Sequence, residues 1–120
     1  MLAKRFRVND RKLLLSYYRR SKCIQGSFFK VYQSSPKIDH FMVAVIAYKK
    51  YFRRSVERNY LRRIGYSILR EEFNNPRFAK IFSRPQLLVI TVRPEIAKKN
   101  YDQIRQDLLK ILSKLGTNQT

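Results

Sequence analysis

The sequence predicts an α+β fold: a two-layer α/β sandwich with helices packed on a small mixed sheet, in the order αβ(β)βαβα. Two apolar runs rich in β-branched residues, Phe41–Tyr48 (FMVAVIAY) and Gln86–Val92 (QLLVITV), read as strands covered on both faces. Between them, residues 53–73 switch to a helical period, and a second helical stripe closes the chain. A chain of 120 residues, 44% of them hydrophobic, suffices for one core. No repeat or low-complexity linker divides it, so a single domain over 1–120 is expected, with a basic arm at about 1–7 and a polar tail at 116–120.

Each element has its own local reason. Asn9 and Asp10 precede Leu13, Leu14, Leu15, Tyr17 and Tyr18, which suggests a short helix at about Asp10–Arg20. In Ser27–Gln33 (SFFKVYQ), period-two alternation puts Phe28, Lys30 and Tyr32 on one face and Phe29 and Val31 on the other. Ser34–Asp39 holds Pro36 and reads as a turn, and Phe41–Tyr48 follows, with room for a further short strand within 41–52. Along Arg53–Phe73, Tyr60, Leu61, Ile64 and Ile68 fall in one arc. Arg58, Asn59, Arg62, Arg63, Tyr66 and Arg70 fall in another. Asn74, Asn75 and Pro76 end that helix, and Arg93–Pro94 stop the next strand. Asn100 with Gln103 forms a capping-box pattern opening a helix over Tyr101–Leu115. Ile104, Leu108, Ile111, Leu112 and Leu115 line its core side, and Gly116 is the expected stop.

Composition excludes most chemistry. One histidine, His40, and one cysteine, Cys23, do not make a His/Cys zinc site, and Cys23 has no internal disulfide partner, which fits a cytoplasmic setting. His40 lies in a polar stretch and reads as a surface residue. Three glycines do not make a phosphate-cradling glycine-rich loop. Met1–Arg20 is basic without an apolar core, so no secretory signal is expected, and the apolar runs are too short to span a membrane. The eight acids are scattered, apart from Glu71–Glu72, which reads as helix-surface charge. No catalytic residue and no metal site are therefore assigned.

The balance of 27 Lys+Arg against 8 Asp+Glu, a net charge of +19, calls for a polyanionic partner. The charge concentrates in Lys49–Arg63, KKYFRRSVERNYLRR, with seven basic residues, one acid and a local net charge of +6. An ordinary solvated helix face mixes signs; this one hardly does. Arginines on a helix stand at set spacings, and each planar fork binds phosphate oxygens bidentately.

This run, placed between a buried strand and "ILREEF", resembles the signature of the bacterial ribonuclease P protein component. That family carries a Lys-Lys pair, a short connector, then Arg-Asn-Arg-x-Lys-Arg opening a helix. Lys49–Lys50 match the pair, Arg58–Asn59 the first two positions, and Arg62–Arg63 the later basic pair. The resemblance covers about residues 5–112. It implies a left-handed crossover between parallel strands 41–48 and 86–92, against the general right-handed rule. It also implies a ribonucleoprotein that removes the 5′ leader of precursor tRNA, with catalysis and most Mg²⁺ binding supplied by the RNA subunit. Lys49, Lys50, Arg53, Arg54, Arg58, Asn59, Arg62, Arg63 and Arg70 would then dock on the catalytic RNA. Leu14, Tyr18, Phe28, Lys30 and Tyr32 would hold the leader, since rings and cations suit a sequence-tolerant single-strand groove. The implied partners are the catalytic RNA and precursor tRNA, with a monomer in a 1:1 complex, no protein partner required and no membrane.

Tyr60 stands where the family usually has a third Arg, so that phosphate contact is replaced by stacking or shifted to Arg53 and Arg54. Gly65 costs a helix about 1 kcal/mol relative to Ala; either it allows a close approach by RNA or by a neighbouring strand, or it is drift. Two other classes fit the charge or the size: a general basic or ribosome-associated RNA-binding module without a role in cleavage, and a protein-only nuclease. The second would need clustered carboxylates.

Overall fold

The computed structural model describes residues 22–34 and 39–118. The expected helix at about 10–20, the arm at 1–7, Leu14, Tyr18 and the Pro36 turn lie outside the described residues. Four strands, β1 (Lys22–Gln25), β2 (Phe29–Ser34), β3 (Met42–Ile46) and β4 (Leu87–Val92), form one sheet in the order β1-β2-β4-β3. β1–β2 and β2–β4 are antiparallel, whereas β3 and β4 are parallel and in direct contact. Three helices, α1 (Ser55–Glu72), α2 (Ala79–Ser83) and α3 (Tyr101–Asn118), complete the chain order βββααβα among the described residues.

The further strand lies at Lys22–Gln25 and not within 41–52. KCIQ carries almost no apolar alternation, since it is an edge strand held by backbone pairing to β2, with Lys22, Cys23 and Gln25 exposed. Residues 48–52 instead close a tight turn, in which the Tyr51 and Phe52 amides donate to the Tyr48 carbonyl at 3.1 and 3.0 Å. Phe52 is buried and anchors that turn to the core.

Alternation in β2 places Phe29 and Val31 in the core and leaves Lys30 and Tyr32 half-buried on the other face. β4 is buried along its whole length, as fits an interior strand paired along both edges. The main core lies between one sheet face and the helices. It joins Phe29, Val43, Val45, Leu88 and Ile90 to Leu61, Ile64, Ile68 and Leu69 of α1 and to Leu108, Ile111 and Leu112 of α3.

α1 starts at Ser55 and buries Leu61, Ile64, Gly65, Ile68, Leu69 and Glu72. Tyr60 is not part of that face: at 62% exposure it points to solvent, because the buried stripe centres between Leu61 and Gly65 and leaves position 60 well to one side. The reason for Gly65 is the neighbouring strand, since an added Cβ would sit 2.9 Å from Val45 Cγ1. At the next position, the Val45 amide donates to the Tyr66 hydroxyl at 3.2 Å, so this residue of the basic arc satisfies the outer edge of β3.

The helix ends at Glu72. Asn75 then caps a 3₁₀ turn, Pro76–Phe78, accepting from the Arg77 amide at 3.0 Å. The short α2, too brief to show a period in sequence, buries Ile81 and Phe82, and the Phe82 ring lies 5.1 Å from both Phe41 and Phe73. Glu71 and Glu72 are not free surface charge. Glu72 is buried, takes Arg105 Nη2 at 2.6 Å and Asn75 Nδ2 at 2.7 Å, and so ties α1 to α3. Arg105 also approaches Glu71 at 3.4 Å, and its hydrogen bond to Glu72 holds the guanidinium above its ordinary pKa.

α3 opens with the full capping box: the Gln103 amide donates to Asn100 Oδ1 at 2.9 Å, and the Asn100 amide to Gln103 Oε1 at 3.2 Å. Ile104, Leu108, Ile111, Leu112 and Leu115 are all buried. The helix continues past Gly116 to Asn118, since one glycine near a helix end weakens the helix without terminating it. On the same helix the buried Asp107 carboxylate accepts the amides of Ser27, Phe28 and Phe29 at 2.8, 2.9 and 3.2 Å, which locks the β1–β2 turn. Gly26 is required there, because a Cβ would meet Ile111 and Asp107 at 2.7 and 2.8 Å.

Candidate nucleic-acid interface

The sheet face turned away from the three described helices carries a groove of about 590 Å³. Lys30 and Tyr32 of β2 and Thr91 of β4 come from the strands, while Tyr48, Lys50 and Tyr51 enter from the turn after β3. Lys30 and Thr91 are cross-strand partners, which places them side by side. Lys30 Nζ lies 5.6 Å from the centre of the Tyr32 ring, and Lys50 Nζ lies 4.9 Å from that of Tyr51. Tyr48 meets Tyr51 edge to face at 6.5 Å. Arg93 lines the far end, where its guanidinium donates to the Gly26 carbonyl at 2.7 Å and pairs with Glu95 at 3.3 Å.

The sequence-assigned residues divide unevenly between surfaces. Lys30 and Tyr32 line the groove, but Phe28 does not; it packs on the core, with Lys99 Nζ 5.9 Å from its ring. Lys50, grouped in sequence with the arginine run, lines the groove as well. Tyr48, Tyr51 and Arg93 were missed. The alternation of rings and cations in AYKKYF is the signal that could have marked the first two.

Along α1, Asn59, Arg62, Arg63 and Arg70 are exposed, as are Lys49, Arg53 and Arg54 before it. Arg62 donates to Asn59 Oδ1, which steadies its guanidinium. Arg58 differs. It is half-buried, and its Nη1 donates to the carbonyls of Phe52 and Arg53 at 2.9 Å each, fastening the preceding loop to the helix. Val56, at 77% exposure, and Tyr60 stand one turn apart on the same helix. His40 is in an exposed turn, 2.5 Å from Asp39, and this hydrogen bond holds the Asp39 carboxyl below its ordinary pKa.

Rings interleaved with lysines on a sheet, beside a helix that exposes Arg62, Arg63 and Arg70, suit a partner that offers both phosphates and bases. The fold is α+β, and its surfaces carry the chemistry that a nucleic acid calls for. The sequence matches the Ribonuclease P family over residues 2–116, and the chain belongs to that family. Its fold is that of an RNase P protein from Staphylococcus aureus, with a TM-score of 0.76 and 20% identity over 92% of this chain and 94% of that one. An RNase P protein from Thermotoga maritima gives 0.73 and 19% over 90% and 96%. No curated protein matches the chain in sequence. The chain is thus the protein subunit type of an endoribonuclease that matures tRNA 5′ ends and whose catalysis is RNA-based. Family membership decides against a general basic module and a protein-only nuclease.

Proposed function

We propose that the chain holds two RNAs on two surfaces: the catalytic RNA on the arginine flank of α1, and the single-stranded 5′ leader of precursor tRNA in the sheet groove. The pairing of Lys30 with Tyr32 and of Lys50 with Tyr51 across one groove is the observation that carries the leader reading. Each pair offers a ring face to a base and a cation to the adjoining phosphate, and every base has a π face, so the grip tolerates any leader sequence. Arg93 extends the positive lining. Lys49, Arg53, Arg54, Arg62, Arg63 and Arg70 take the phosphates of the catalytic RNA, with Asn59 and Arg58 as positioning residues.

The hydrolytic Mg²⁺ ions belong to the RNA subunit in this reading. The chain's described acids do not fit a hard-cation cage: Asp107 accepts three backbone amides, Glu72 is held by Arg105 and Asn75, and Glu95 by Arg93. The chain works as one RNA-binding unit, 1:1 with the RNA, in the cytoplasm and without a protein partner. Among the described residues no helix is long and apolar enough to cross a membrane.

The test is binding of precursor tRNA and mature tRNA by the reconstituted ribonucleoprotein. Tyr32→Ala and Tyr51→Ala should each weaken the leader-bearing substrate by roughly 1–3 kcal/mol if the ring stacks on a base, and should leave mature tRNA nearly unaffected. Equal losses for both RNAs would remove the leader from this groove.

A further inference from the structure

Arg77, in the turn after α1, lies against the solvent side of α3 in a shallow groove of about 350 Å³ lined also by Gln106, Leu109, Lys110, Ser113 and Lys114. At 100° per residue, Gln106, Lys110 and Ser113 fall opposite the buried stripe of α3. This groove therefore opens on the outer face of the helical layer, the other side of the molecule from the Lys30–Tyr32 groove. We infer that it is a third phosphate-binding site, taking the sugar–phosphate backbone of an RNA segment that touches neither of the surfaces described above.

Two observations raise it above a solvated charge cluster. Arg77 is already positioned: its Nη2 donates to Ser113 Oγ at 2.8 Å, and that hydroxyl donates to the Leu109 carbonyl at 2.9 Å. Its guanidinium carbon also lies 5.2 Å from the centre of the buried Phe78 ring, so the planar fork is steadied by stacking as well as by the hydroxyl. Second, no carboxylate lines the groove, and among the described residues Arg77, Lys110 and Lys114 make no ion pair. Lys110 and Lys114 are one turn apart, about 6 Å along the axis, so a guanidinium and two ammonium groups converge on one strip.

The groove reads phosphate and not bases. No aromatic side chain lines it, and the Phe78 ring beneath the arginine is buried, which leaves no exposed aromatic face for stacking. The inference takes only the identity of the polyanion, RNA, from the proposed function. The backbone could be that of the catalytic RNA or of the tRNA body, so both must be tried.

Binding of the full chain to the catalytic RNA alone, and separately to precursor tRNA alone, is measured over a salt series. Lys110→Gln with Lys114→Gln should flatten the slope of log K against log salt by about 2, about one per lysine, in at least one arm, with a several-fold loss of affinity at moderate salt and an unchanged melting temperature. The arm that responds names the RNA. Lys22→Gln with Lys98→Gln removes the same charge elsewhere and should leave the slope nearly as it was. The inference is overturned if the Lys110/Lys114 variant keeps the parent slope in both arms, or if the Lys22/Lys98 variant loses as much. Arg62→Ala with Arg63→Ala, measured in parallel, keeps the two readings apart. A loss there with none at Lys110/Lys114 sinks this inference alone, and no loss in either sinks the arginine flank as well.

Discussion

Replacing Asp107 by alanine tests how the groove strand is held. Its carboxylate accepts three successive amides, those of Ser27, Phe28 and Phe29, and the residue is 9% exposed. Hydrogen bonds to a charged acceptor are each worth about 1.5–3 kcal/mol. Ser27 is exposed, so water replaces part of its bond, and the β1–β2 turn keeps its ties from Arg93 to Gly26 and from the Arg93 amide to the Phe28 carbonyl. The loss that remains is about 3–4 kcal/mol. For a chain of this size, between the ranges for smaller and larger domains, that lowers the melting temperature by roughly 10–20 °C. Asp107→Asn keeps one carbonyl oxygen but turns an NH₂ toward the same donors, so it should fall about midway. Circular dichroism melts with urea titrations give both values, and hydrogen exchange should show the Phe28 and Phe29 amides losing protection first. An Asp107→Ala variant within about 0.5 kcal/mol of the parent chain would refute the lock. Because Asp107 lies on the helix side of the sheet, leader affinity well below the melting temperature should stay near that of the parent.

Gly65→Ala should destabilise by about 1 kcal/mol despite alanine's better helix propensity, because overpacking against Val45 outweighs the gain; a double-mutant cycle with Val45→Ala should show favourable coupling, and a stabilised single variant would remove the close approach as the reason for glycine. Arg58→Ala should cost about 1–3 kcal/mol of stability by releasing two backbone carbonyls, whereas Arg63→Ala should leave stability within about 0.5 kcal/mol and flatten the salt dependence of RNA binding by about 1. Millimolar sulfate or phosphate should raise the melting temperature saturably and more than chloride at matched ionic strength, by binding the folded cation clusters; a response to ionic strength alone would contradict preformed phosphate sites. Finally, the protein with Mg²⁺ alone should leave precursor tRNA intact, and the catalytic RNA subunit should restore cleavage, as read on a denaturing gel.

What the sequence determined by itself was whatever depends on neighbours along the chain. The Asn100–Gln103 box closes over three residues, and period two in SFFKVYQ sorts Phe29 and Val31 from Lys30 and Tyr32. The cationic run 49–63 states its own charge, and the β-branched strands their own burial. Tertiary structure decided the features whose cause lies far away in sequence. β1 exists because β2 offers it an edge, not because KCIQ has a pattern. Glu72 is buried because Arg105, 33 positions on, neutralises it, and Gly65 is glycine because an added Cβ would meet Val45 at 2.9 Å. Tyr60 and Arg58 exchanged the roles that a helical wheel suggested. The wheel knows the angles but not where the core is centred, nor that the loop before α1 turns its carbonyls back toward Arg58. The groove is likewise tertiary: Tyr51 and Lys50 reach Lys30 and Tyr32 only because β4, more than thirty residues later in the chain, inserts between β2 and β3 and sets their spacing.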